Sequence, residues 1–212
     1  MRERTLSAVP KITFVLLVLA LFAQIAWNRN VHTQNIQLEQ LSAPPSIHSM
    51  RLTSFGESIG MAKLSMLYLQ AFDHQAGQQI ALNQLDYQQV LAWLQRIIDL
   101  DPSSQYALFA ASRLYAEVPN VAKQRLMLGF IYQQFLKDPN RRWASLAYAT
   151  TLAKHRLKDM PLARQYAQAI RLYATSQDVP NWAKQMEIFL LEDMNELQSA
   201  KIIWAGFCKV GK

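Results

Sequence analysis

Cysteine is almost missing from this chain. Cys208, close to the C-terminus, is the sole cysteine in 212 residues, so no intramolecular disulfide can form and stability has to come from packing. No His or acid is patterned around it, so it reads as an ordinary terminal thiol. Glycine is scarce as well, with 6 in all, and Val and Thr thin out beyond the first 35 residues. That argues against loop-rich and all-β folds. Charged residues make up only 17% against 51% apolar ones, which excludes extensive disorder. What is abundant is Leu, Ala and Gln, side chains that lose little rotamer freedom on a helix. The composition is therefore that of an all-α chain, with room for one domain and appendages.

The net charge of +7 divides unevenly. Arg2, Arg4, Lys11 and Arg29 oppose only Glu3 in the first 30 residues, leaving a net of +4 for the rest. A mild excess of this kind, with no recognition motif beside it, points away from nucleic acid.

Residues 12–27, ITFVLLVLALFAQIAW, carry no charge and only Thr13 and Gln24 as polar side chains. This density predicts one N-terminal transmembrane helix serving as an uncleaved signal anchor, with Trp27 at the interface. Neither Ala23 nor Ala26 has a small residue two positions before it, as a cleavage site needs. Basic residues before the segment outnumber those just after it, a bias that keeps residues 1–11 cytoplasmic and the rest outside. The expected localisation is that of a single-pass membrane protein whose C-terminal domain is extracytoplasmic, in the periplasm of a two-membrane bacterium.

Residues 28–55 read as a linker or stalk, rich in Asn, Gln and Ser and interrupted by Pro44 and Pro45, which forbid a continuous helix. His32 and His48 stand there without a second ligand at metal spacing. Over 56–205 apolar residues recur at three and four, as in Met61, Leu64, Leu67, Tyr68, Ala71 and Phe72, and this predicts a helical domain. A second helix runs from about Asp86 through Val90, Trp93, Leu94, Ile97 and Ile98 to Asp101-Pro102. Further helices are predicted over 105–117, 121–137, 141–156, 161–175 and 180–197, parted by short Pro- and Asn-containing turns. Residues 206–212 read as a tail. Trp93, Leu94, Leu108, Ala111, Tyr115, Phe130, Trp143, Leu146, Tyr166 and Phe189 are the predicted core.

The stretch DYQQVLAWLQRIIDLDPSSQYALFAASRLYAE resembles a tetratricopeptide repeat junction, in which one helix closes on a Leu-Asp-Pro turn and the first helix of the next pair follows. Pro102 then stands at the closing proline, and Leu108, Ala111, Ser112 and Tyr115 fill the large, apolar, small and aromatic positions. A second unit begins at Trp143, with Leu146 and Ala147 matching and Ala163 and Ala167 on its partner helix. It departs from the pattern at Thr150, which replaces the aromatic, and at Lys154-His155-Arg156 in the turn. The resemblance covers roughly 85–197. It implies a right-handed antiparallel α-hairpin stack that binds another protein on the first helix of each pair. Transferred by register, the ligand-facing positions are Tyr106, Phe109 and Arg113 in one unit and Arg141, Ala144 and Tyr148 in the next. The expected protein-binding set is Tyr106, Phe109, Arg113, Arg141 and Tyr148, a mixture of aromatic anchors and arginines. The expected partner is an acidic, partly apolar segment of a membrane-associated protein, with residues 12–27 holding the chain to the membrane.

Chemistry has little to stand on. Gly56-Glu57-Ser58-Ile59-Gly60 matches G-x-S-x-G, but that motif acts as a strained strand-to-helix turn, no strand pattern precedes it, and only His74 and His155 follow. Ser54 or Ser58 is instead expected to cap the helix around residue 60. The acidic residues Glu187, Glu192, Asp193 and Glu196 read as a solvated face or a docking strip. From Lys137 to Arg171, eight basic residues oppose Asp138 and Asp159, a run suited to an acidic peptide or anionic head groups. No enzyme, cofactor or metal is expected. An enzyme of unfamiliar design around Ser58, His74 or His155 stays open as the alternative, as does a cytoplasmic basic adaptor if the topology is inverted.

Overall fold

The computed structural model describes residues 11–31, 41–71 and 84–210, in two compact units, 1–39 and 40–212. All regular structure among the described residues is helical. The first unit contains α1, Lys11–Val31. No helix among the described residues is long and apolar enough to cross a membrane. This overturns the expected transmembrane anchor at 12–27, and with it the single-pass localisation. The physical reason is length. The apolar run rises only about 24 Å at 1.5 Å per residue, against a hydrocarbon core of about 30 Å, and α1 continues past it into Asn28, Arg29 and Asn30.

The second unit opens with α2, Ile47–Thr53, and α3, Ser58–Ala71. After residues 72–83, which are not described, come α4, Tyr87–Leu100, and α5, Tyr106–Arg113, the latter extended by a 3-10 turn at Tyr115–Glu117. The two long helices α6, Val121–Lys137, and α7, Pro139–His155, lead to α8, Met160–Tyr173. The short α9, Asn181–Lys184, and α10, Met186–Asp193, precede α11, Leu197–Val210, which runs through the boundary expected at 205. Part of the expected stalk belongs to this body, since Leu41 and Met50 are buried in its core and the Trp93 indole N–H donates to the Ser42 carbonyl at 2.8 Å.

Helix ends follow local chemistry. Asp86, Asn120 and Asp159 accept from Gln88, Lys123 and Leu162 N–H groups at 2.9, 3.1 and 3.0 Å, satisfying donors that the first turn leaves open. The Leu-Asp-Pro turn is held by the Asp101 carboxylate, which accepts from the N–H groups of both Ser103 and Ser104 at 3.2 Å. Between α2 and α3 the chain reverses through two left-handed residues, Phe55 at φ 49 and Gly56 at φ 91; a side chain at Gly56 would be strained there. The helix predicted over 180–197 is broken at Gln185 and again at Asn195, whose φ of 60 suits an asparagine at a helix end.

Packing joins the helices in pairs with a regular offset. The Arg125–Asp159 ion pair, 2.8 Å, and the stacked rings of Tyr132 and Tyr166, 5.2 Å between centroids, each join residues 34 positions apart. A constant offset at two levels means that α6 and α8 run in the same direction, linked through these side chains. α5 and α7 also meet, where the Arg113 guanidinium lies over the Tyr148 ring, and Arg142 on α7 reaches the Pro102 carbonyl in the turn before α5. Leu108, Ala111, Ser112, Tyr115, Leu146, Ala147, Ala163 and Ala167 are all buried, small residues allowing the close helix approach that large ones fill. Phe130 and Trp143 are half-buried, but Phe189 is 53% exposed and lies outside the core expected of it.

Candidate interaction surface

On α5 the positions Ala107, Leu108, Ala110, Ala111 and Ser112 turn inward, so the 3.6-residue period leaves Tyr106, Phe109 and Arg113 as its outer stripe. Tyr106 is 51% and Phe109 56% exposed. The Tyr106 hydroxyl accepts from the Gln70 amide at 2.9 Å, which steadies the ring while leaving its face open.

Arg113, one turn beyond Phe109, places its guanidinium carbon 3.8 Å from the centroid of the Tyr148 ring, a cation–π contact reaching across to α7. The Tyr148 hydroxyl donates to the Glu117 carboxylate, and Arg156 donates to the other oxygen of Glu117 at 3.2 Å. The hydrogen bond to Glu117, then burial, raises the Tyr148 pKa above its usual value. Arg113, Tyr148, Glu117 and Arg156 are thus one network across α5 and α7.

Arg141 stands two turns before Tyr148, paired with Asp138 at 3.6 Å, and lines a cavity with Arg51 and Lys137. Of the expected binding set, then, Arg113 and Tyr148 touch, Tyr106 and Phe109 share the exposed stripe beside them, and Arg141 faces another feature.

The basic run from Lys137 to Arg171 is largely consumed within the fold. Arg171 meets Glu187 at 2.7 Å, Arg164 meets Glu196 at 3.0 Å, Lys154 pairs with Asp193, and Arg142 is buried. Its partners are the acidic residues expected as a solvated face, and Glu187 is only 1% exposed. Sequence reading missed this pairing because the two groups lie on different helices. The paired residues stand 16, 32 and 39 positions apart, so no single spacing in the chain marks them.

Ser58 is the first residue of α3, while Ser54 donates its hydroxyl to the Arg51 carbonyl at 2.7 Å. Neither caps α3 in the way expected. His155 is exposed at the end of α7; His32 and His74 lie outside the described residues, as does the side chain of Cys208. Among the described residues no group of three His, Cys, Asp or Glu side chains comes together to hold a metal.

Set against known proteins, the chain matches no family model, no curated protein and no solved structure. Its functional reading therefore rests on its own geometry.

Proposed function

We propose that this chain is a helical-repeat interaction scaffold, similar in design to tetratricopeptide proteins, and that the α5–α7 face receives an acidic, partly apolar segment of a partner protein. The observation that carries this reading is the open Tyr106–Phe109 stripe ending at Arg113, which the Tyr148 ring holds in place. Exposed aromatics fixed on a well-packed helix lose little entropy on binding, and a neighbouring arginine is the usual companion of such anchors. The 34-residue offset between α6 and α8 supports a repeat arrangement, in which first helices line a common surface.

The test is site-specific photo-crosslinking in cells. A photo-reactive residue at position 109 should capture a defined protein, and one at the exposed position Gln168 on α8 should not. The Phe109→Ser, Arg113→Glu double variant, probed from position 106, should lose that crosslink while keeping its helicity. Equal capture from positions 109 and 168, or capture retained by the folded double variant, sinks the proposal.

A further inference from the structure

A separate cleft of about 570 Å³ opens among α2, α4, α6 and the start of α7. Its chemistry is independent of the interaction surface. Arg142 lies in its wall, only 6% exposed, and the groups that meet its guanidinium are neutral: the Gln134 carbonyl at 2.9 Å, the Gln134 side-chain oxygen at 3.1 Å and the Pro102 carbonyl at 3.4 Å. Asp138 acts on it electrostatically but makes its ion pair with Arg141, and among the described residues no carboxylate makes ion-pair contact with Arg142. Burying a cation without a counter-charge in contact is costly, and burial, opposed by Asp138, pulls the Arg142 pKa below its usual value.

Three more cations line the same cleft, Arg51, Lys137 and Arg141, against two carboxylates, Asp99 and Asp138. Both carboxylates are already engaged. Asp138 pairs with Arg141 at 3.6 Å; Asp99 accepts from Gln95 at 2.7 Å and lies 3.9 Å from Arg96. The Gln134 amide in turn donates to Gln95, so a chain of hydrogen bonds from Arg142 through Gln134 and Gln95 to Asp99 fixes the guanidinium. A rigid, buried fork in a cleft lined by four cations, itself included, against two carboxylates is suited to a dianion.

We propose that this cleft binds a small phosphomonoester, its phosphoryl group held by Arg142 together with Arg51, Lys137 and Arg141. The cleft volume falls within the roughly 300–1,000 Å³ typical of small-molecule sites and exceeds what a bare phosphate fills. Ile98 and Pro102 on its wall offer an apolar surface to the organic part.

The experiment is calorimetric titration of the full chain with glycerol phosphate, inorganic phosphate and sulfate at constant ionic strength. Saturable binding of one glycerol phosphate per chain is expected, tighter than inorganic phosphate and much tighter than sulfate. Lys137→Gln and Arg51→Gln alter exposed side chains and should each raise Kd about tenfold, the usual effect of losing one charge-assisted contact. Arg142→Lys keeps the charge and loses the fork, and should weaken binding further. Absence of saturable binding, equal affinity for sulfate, or an unchanged Kd in both Lys137→Gln and Arg51→Gln would overturn the assignment. Inorganic phosphate binding as tightly as the ester would overturn the organic part of it.

Discussion

The Arg113 guanidinium lies over the Tyr148 ring, 3.8 Å from its centroid, although the two residues belong to different helices and lie far apart in the chain. The contact ties α5 to α7 at the surface, and the Tyr148 hydroxyl extends it to Glu117. Removing the acceptor gives a direct check. In Glu117→Gln the Tyr148 pKa should fall toward 10.0, since the hydrogen bond to Glu117 is the largest cause of its elevation. NMR titration of ring-labelled tyrosine reads this, and an unchanged Tyr148 titration counts against the network.

Tyr166 gives the fold an alkaline limit. Burial is the main cause that pushes its pKa from 10.0 up to about 12, so the native state holds this proton more tightly than the unfolded chain. The sign follows from linkage: the contribution is fully present below pH 10.0 and is lost as pH rises toward 12. Urea midpoints measured across that window should decline with pH in the wild type, and less steeply in Tyr166→Phe.

Asp159 acts at the opposite end of the scale. The Leu162 N–H, then Arg125, holds its carboxyl below the ordinary aspartate value of 3.8, so its contribution is present above that value and is lost as pH falls below it. Asp159→Ala removes both the α8 cap and the Arg125 pair, and should cost about 1 kcal/mol at neutral pH. Arg125→Gln, which leaves the cap, should cost less by the same urea measurement.

Glu187 is buried between Arg171 at 2.7 Å and Arg164 at 3.9 Å. Glu187→Ala leaves Arg171 half-desolvated with no counter-charge, and a loss of about 3 kcal/mol is expected. Thermal or chemical unfolding measures it, and a near-neutral result would mean that the pair is not formed in solution.

Core and surface should separate cleanly. Leu146 is fully buried, and Leu146→Ala should destabilise by about 2–5 kcal/mol through the cavity it leaves. Phe109 is equally apolar but open to solvent, so Phe109→Ala should stay within about 0.5 kcal/mol. A large loss from Phe109→Ala would place that ring in the core rather than on a binding face.

Much of the helical body was legible in the chain itself. Asp86, Asn120 and Asp159 mark helix starts because their side chains satisfy N–H groups only two or three residues away. The spacing of Val90, Trp93, Leu94, Ile97 and Ile98 announces a buried face because a helix repeats every 3.6 residues, and all five are buried. Boundaries faltered where one residue's backbone decided them. The left-handed Asn195 ends α10 inside a stretch whose apolar period runs on.

Local signals thus determined the helical class, most helix ends and most of the core, since each depends on neighbours within about one turn. Tertiary structure alone decided what the charges do. Arg164, Arg171 and Lys154 read as an open basic run until α8 and α7 meet α10 and the turn after it, which carry Glu187, Asp193 and Glu196. Arg141 and Arg142 are adjacent in sequence, yet one is exposed and the other is sealed against α6. Their difference arises from helix packing across the stack, where an electrostatic partner is set by distance through space and not by distance along the chain.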